Sequence, residues 1–136
     1  MQDTYLYQAE TEKTLTQFIH DLEQITAKQG FFIHNKDKME MSNIYGQHGI
    51  EVGEGFDLHM IQICNPQKSS KSLAINPERA ALMPKFITTF SQQGKVQIRM
   101  LVYGRDLISS LLADPDYPGS LEASYEKIIA MIEQAR

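Results

Sequence analysis

The stretch Phe56-Asp57-Leu58-His59-Met60-Ile61-Gln62-Ile63-Cys64-Asn65-Pro66 decides how the rest of the chain is read. Leu58, Met60 and Cys64 fall on one side of an extended segment, and His59, Ile61 and Ile63 on the other. Apolar side chains thus sit on both faces, which predicts a strand covered on both sides. Asn65 then fits a helix N-cap and Pro66 the first helical position, where a missing N–H costs nothing. The helix is expected to run through Leu73 and Ile75 and to stop before Asn76-Pro77, because a residue preceding proline disfavours the α region. Cys64 therefore stands one residue ahead of a helix N-terminus, whose partial positive charge and free N–H groups favour a thiolate, with Lys68 and Lys71 in the next two turns. Against this, a free cysteine most often packs as a small apolar residue, and burial in an apolar strand works against ionisation.

Working outward toward the N-terminus, Ile50-Glu51-Val52-Gly53-Glu54-Gly55 is a connector with two glycines flanking acidic residues. A short helix is expected from Lys38 to about Tyr45, followed by a turn at Gly46 and Gly49. Phe31-Phe32-Ile33-His34 is an expected strand. Before it, Leu15, Phe18, Ile19, Leu22 and Ile25 recur at helical spacing, with Thr11 or Thr14 as the cap and Gly30 as the stop. His20 flanks that apolar stripe. Tyr5-Leu6-Tyr7-Gln8 is a β-prone first strand, giving a compact first β-α-β unit.

Toward the C-terminus, Asn76-Pro77 again supplies a cap and a first helical position, for a short helix that Pro84 ends. Phe86–Phe90 and Val96–Tyr103 form the clearest hairpin, joined through Ser91–Lys95. Val96, Ile98, Met100 and Val102 share one face of its second strand. Arg105–Leu112 is a short helix with Leu107, Ile108, Leu111 and Leu112 on its apolar side. Asp114–Gly119 is a loop, and Ser120 caps a closing helix that presents Leu121, Tyr125, Ile128, Ile129 and Ile132.

The 136 residues suffice for one domain, 1–136, with a core that folds without staples. A formal net charge of −4 argues against nucleic acid or an anionic membrane surface as partner, since both need a basic footprint. One cysteine excludes an internal disulfide and any paired-cysteine redox or metal motif. The N-terminal Met1-Gln2-Asp3-Thr4-Tyr5 has no basic segment or apolar run of the kind that makes a secretory leader, and no segment has the roughly 20 apolar residues of a membrane span. The expected location is the cytoplasm.

The order Ile63-Cys64-Asn65-Pro66, helix, Leu82-Met83-Pro84, hairpin ending near Val102, closing helix resembles the domain-of-unknown-function family 302 over nearly the whole chain. The family pattern sets a cysteine-asparagine-proline turn some twenty residues ahead of a leucine-proline turn. Here the second turn is Met83-Pro84, followed by Lys85 where the pattern has a small or thiol residue. The resemblance implies an α+β fold with a TBP-like β-α-β(n)-α arrangement: a curved, mainly antiparallel sheet of about five strands with helices on one face. It also implies frequent dimerisation and no established reaction.

Three chemistries compete for the side chains. A thiol site would use Cys64 as nucleophile or sulfur carrier, with Asn65, Pro66 and the helix N-terminus holding an anion. Its base would come from His34 or His48, because His59 lies on the opposite face of the strand. A metal or haem site would draw on Met39, Met41, His34, His48 and Cys64, without any spacing motif; methionine at this frequency is more often core filler, so no metal is assigned and no cofactor is identified. A small-ligand pocket would use Arg99 and Arg105, whose geometry suits carboxylate or phosphate, against the plainer expectation that both are solvated or paired. Glu51, Glu54 and Asp57 are expected to be a solvated acidic loop. The favoured reading is a homodimeric protein that binds a small ligand without established catalysis. The alternative is a thiol-dependent redox or sulfur-transfer protein using Cys64.

Overall fold

The computed structural model describes residues 3–136. Five strands, β1 (Tyr5–Thr11), β2 (Phe32–Ile33), β3 (His59–Cys64), β4 (Lys85–Gln92) and β5 (Lys95–Val102), form one sheet in the order β1-β5-β4-β3-β2, with every neighbouring pair antiparallel. Five α-helices accompany it: α1 (Leu15–Ala27), α2 (Met41–Gln47), α3 (Pro66–Ile75), α4 (Arg105–Leu111) and α5 (Tyr117–Ala135). Short 3-10 segments span Lys36–Lys38 and Pro77–Leu82. This is the α+β architecture with a mainly antiparallel sheet of about five strands that the family resemblance implies.

One face of the sheet carries the core. Ile61, Ile63, Ile87, Ile98 and Met100 point from β3, β4 and β5 into Phe18 and Leu22 of α1 and Leu121, Tyr125, Ile128 and Ile132 of α5, all buried. The opposite face stays open. Successive strand residues alternate between faces, so Met60, Gln62 and Cys64 are only half-buried while Ile61 and Ile63 are sealed. The expectation that β3 is covered on both sides is therefore corrected: its second apolar stripe faces the open side. β3 also starts at His59 rather than Phe56, because Asp57 leaves the ladder to accept hydrogen bonds from the Ser91 backbone N–H and hydroxyl.

The first β-α-β unit is not the compact one expected. β1 and β2 lie at opposite edges of the sheet, and α1 crosses between them. Its 13 residues make about 20 Å of helix, close to the width of four inter-strand gaps of about 4.8 Å. Thr14 caps α1 by accepting from the Gln17 N–H, and Gly30 turns the chain back at φ 81°. The hairpin loop is tighter than Ser91–Lys95. Gln93 and Gly94 both adopt positive φ, 56° and 76°, the two-residue turn whose twist matches the flanking strands.

Side chains complete the edge beyond β2. The Asn35 carboxamide donates to the Met60 carbonyl at 2.8 Å and accepts from the Gln62 N–H at 2.8 Å, as a strand residue's main chain would. The chain loops out through Lys36–Lys38 and returns to pair Met39–Met41 with Leu58–Met60. The helix expected over Lys38–Tyr45 is accordingly split, with α2 starting at Met41. The Asn35 amide does the work of a local strand, a role invisible to hydrophobic periodicity.

A buried ion pair sets the helices around the end of β3. Asp114 accepts from Arg79 Nε at 2.6 Å and Nη2 at 2.9 Å, both side chains being about 95 % buried (6 % and 5 % exposed). Arg79 Nη1 reaches Ser72 of α3 at 3.0 Å, and Asn76 Nδ2 reaches Asp114 at 2.9 Å. Asp114 also accepts from the Tyr117 N–H at 3.1 Å, at the start of α5. This corrects the expected start of the closing helix: its N-cap position is Asp116 rather than Ser120, the Asp114 carboxylate just before it satisfies the Tyr117 N–H, and Tyr117-Pro118 occupies the first turn.

Replacing Asn35 by Ala leaves the Met60 carbonyl and Gln62 N–H without their partner and should lower the denaturant-unfolding free energy by about 1–2 kcal/mol, with faster hydrogen exchange at Gln62 than elsewhere in β3. Arg79, and next Asn76, hold the Asp114 carboxyl well below the usual carboxylate range. A carboxyl depressed in the folded state stabilises fully above its unfolded pKa of about 4 and loses that contribution as pH falls below it. The thermal midpoint should therefore drop between pH 5 and pH 3 in the native protein. In Asp114→Asn it should be lower at pH 7 and flatter across that window.

Candidate functional site

Where β3 ends and β4 begins, α3 and the first turns of α5 enclose a cavity of about 40 Å³. At roughly 10–15 Å³ per water this holds about three waters or one small molecule. Phe31, Ile63, Met83 and Leu121 give it apolar walls. Its polar groups come from three elements: Cys64, Asn65, Lys68 and Ser69 at the β3–α3 junction, Lys85 at the start of β4, and Tyr117, Ser120 and Ser124 on α5.

The β3–α3 junction is built as its sequence suggests. Asn65 Oδ1 accepts from the Lys68 N–H at 3.1 Å, Pro66 takes the first helical position, and Cys64 Sγ lies 3.4 Å from Ser69 Oγ. Cys64 is half-buried and free. Gly30 comes close to the Asn65 side chain: a Cβ there would meet Nδ2 at 3.6 Å while sitting at positive φ. The turn after α1 thus abuts the cap of α3.

Two lysines meet the cavity on different terms. Lys68 Nζ donates to Ser124 Oγ at 2.6 Å and to the Ser120 carbonyl at 3.2 Å, which fixes it across to α5. Burial, and then the nearby Lys127, lower its pKa. Lys85 pairs in register with Ile63 and so points to the covered face. Its ammonium lies 5.6 Å from the centre of the Tyr125 ring, and among the described residues it has no hydrogen-bond partner and no carboxylate. Burial pushes its pKa down to about 8; the Cys64 thiol opposes that shift and Lys68 adds to it.

Tyr117 completes the lining. Only 2 % of it is exposed, the Arg79 guanidinium stacks 5.0 Å from its ring centre, and its buried hydroxyl has no hydrogen-bond partner. Burial pushes its pKa up to about 12, so the hydroxyl keeps its proton and stays a donor. The site is thus a small, mostly apolar chamber with two cations, one idle donor and no acidic side chain in its wall. Such a chamber suits one small anion or polarised group.

The other sequence candidates lie elsewhere. His34 and His48 are exposed and absent from the cavity lining, and among the described residues neither is hydrogen-bonded to Cys64, whose thiol meets Ser69 instead. Arg99 sits on the open face over Phe90, at 5.3 Å from the ring centre, and donates to the Ala9 and Ile98 carbonyls. Arg105 is exposed and bound through two nitrogens to Glu122, each at 3.0 Å. Among the described residues no three His, Cys, Asp or Glu side chains converge to hold a metal ion, and no helix is long and apolar enough to cross a membrane. Sequence reasoning missed Lys85 and Tyr117. The signal for Lys85 was available in principle: with Ile87 and Thr89 it keeps the strict alternation of a covered face.

A comparison with curated protein sequences finds no match. Among solved structures, this chain is similar to an uncharacterised conserved DUF302 protein from Bacillus stearothermophilus, with a TM-score of 0.78 and 16% identity over 96% of this chain and 98% of that one. At that identity the likeness establishes the fold alone. The family model described as "Domain of unknown function DUF302" matches residues 7–135, and the chain belongs to that family.

Proposed function

We propose that this protein binds a small anion, of the size of a short carboxylate, in the chamber between β3, β4, α3 and α5. The observation that carries this reading is Lys85: a lysine ammonium directed into the covered side of the sheet with no acid to balance it. Lys85 is half-buried; an unpaired cation partly withdrawn from water costs free energy, and an anion from solution reduces that cost. Lys68 adds a second charge held in place by α5. The chamber volume restricts the ligand to a few heavy atoms, or to the charged end of something larger. The thiol-dependent alternative is less supported, since among the described residues no hydrogen bond joins Cys64 to His34 or His48.

We also propose that two copies pair through the open face of the sheet. Leu6 and Leu101 are paired neighbours on the open side of the sheet, and both are about half exposed (50 % and 49 %). Phe32 and Phe86 extend the apolar surface across it. Two copies stacked through this face would cover it, as obligate dimers cover apolar faces.

The anion reading is checked by thermal unfolding against acetate, sulfate and phosphate at constant ionic strength. At least one should raise the midpoint saturably in the native protein and not in Lys85→Met. The affinity should be full below pH 8 and fall above it, as Lys85 loses its proton. Without ligand, Lys85→Met should be more stable than the native protein at pH 7 by on the order of 2 kcal/mol, one pKa unit being about 1.4 kcal/mol. The folded-state pKa lies below the unfolded one, so the penalty is full below pH 8 and gone above about pH 10.5. That gain should shrink accordingly. No saturable shift with any of the three anions would remove the reading. For the dimer, native mass spectrometry should find two copies together and Leu101→Asp should leave one; a monomeric native protein would exclude it.

A further inference from the structure

The two lysines of the chamber are not equivalent, and the difference points to chemistry beyond charge recognition. Lys68 spends two of its three donors on Ser120 and Ser124 and is held as a fixed cation. Lys85 spends none: its nitrogen has no polar partner among the described residues and lies over the Tyr125 ring at 5.6 Å, near apolar Ile63 and Leu121. An amine desolvated in an apolar pocket beside a second cation is the setting in which lysine acts as a nucleophile toward carbonyls. The third element is Tyr117, a sealed hydroxyl in the same wall with no protein partner. A carbonyl oxygen placed there would accept its hydrogen bond.

We propose that the ligand class of this chamber is the short α-oxo acid, whose carbonyl Lys85 captures reversibly as an imine while Lys68 holds the carboxylate and the Tyr117 hydroxyl donates to the carbonyl oxygen. The inference rests on the small-anion reading above and adds a covalent step to it. The neutral Lys85 nitrogen gives its lone pair to the carbonyl carbon, forming the C–N bond as the C=O π pair moves to oxygen. That oxygen takes a proton, the nitrogen loses one, and the neutral carbinolamine results. A proton from solvent water lets its hydroxyl leave as water while the nitrogen lone pair forms the C=N bond, and the nitrogen keeps its hydrogen, so the product is the iminium. No electrons are exchanged with a third party, and addition of water reverses the sequence. Burial keeps a fraction of Lys85 in the neutral form near neutral pH, with its pKa down at about 8. Two or three carbons are what the volume of about 40 Å³ admits.

The test uses the full chain with glyoxylate and cyanoborohydride near pH 7.5, followed by peptide mass mapping. Cyanoborohydride delivers hydride to the iminium carbon and converts the adduct into a stable carboxymethyl-lysine. Lys85 should be labelled at least about tenfold faster than the average of the other lysines, because a pKa of about 8 makes its neutral fraction at pH 7.5 roughly two hundred times theirs, an advantage partly offset by the lower intrinsic nucleophilicity of a less basic amine. Acetate should compete, because it takes the Lys68 position without a carbonyl. Lys85→Arg keeps the charge and cannot form an imine, so it should still gain thermal stability from acetate and lose the fast label. Tyr117→Phe should slow labelling while leaving acetate stabilisation in place, and Cys64→Ser should leave both intact. Labelling of Lys85 at the rate of surface lysines, with acetate stabilisation present, would overturn the covalent step alone. Absence of the fast label together with no saturable shift from acetate, sulfate or phosphate would overturn the anion reading with it.

Discussion

The Arg79–Asp114 pair is the constraint on which the chamber depends. It joins segments 35 residues apart and is satisfied on all sides: Arg79 by Asp114, Ser72 and the Tyr117 ring, Asp114 by Arg79, Asn76 and the Tyr117 N–H. A buried pair is tolerable only with this degree of hydrogen bonding, since either charge left alone would carry a desolvation cost. Its geometric effect is to tie the C-terminal half of α3, through Ser72, to the first turn of α5. Those two helices are opposite walls of the chamber. The ion pair therefore sets how wide it is and aims Tyr117 into its lining.

Beside this satisfied pair stands an unsatisfied cation. The same segment of the molecule that pairs Arg79 with care leaves Lys85 with an aromatic face and no acid. A fold optimised only for stability would place an apolar residue in register with Ile63, as Ile87 is placed opposite Ile61. Local violations of this kind concentrate at sites where a ligand supplies what the protein withholds. The contrast with Arg79 is what gives the violation weight: a guanidinium a few residues earlier shows that counter-charge is available to this part of the chain.

Local signals in the sequence carry much of the fold. Asn65-Pro66, Thr14 and Gly30 act through neighbours within four residues, and each does in the structure what its pattern predicts. The hairpin and the apolar stripe of β5 are legible for the same reason. What was illegible is long-range. Asp114 looks like loop because its partner Arg79 lies 35 positions away, so the start of α5 is expected at Ser120 instead. Asn35 looks like loop because it enters the ladder with its side chain. The coverage of β3 is not legible either, because alternation states that two faces differ but not whether anything packs on the second. For the site, Cys64, Asn65 and Pro66 were found through the junction they build, whereas Lys85 emerged only once the register set it opposite Ile63.

The size of the chamber limits what charge alone can achieve there. The best small ligands gain at most about 1.5 kcal/mol per heavy atom, so an anion of about five such atoms has a ceiling near −7 kcal/mol, which is weaker than about 1 μM. Desolvating Lys68 and Lys85 further reduces what is left, because both must give up residual water to meet the ligand. Tight binding in this volume therefore requires either a larger ligand that leaves most of itself outside, or a bond. The unanchored nitrogen of Lys85 supplies the means for the second. Chamber size, missing counter-ion and idle tyrosine hydroxyl thus constrain the ligand in the same direction: small, anionic and carrying a carbonyl.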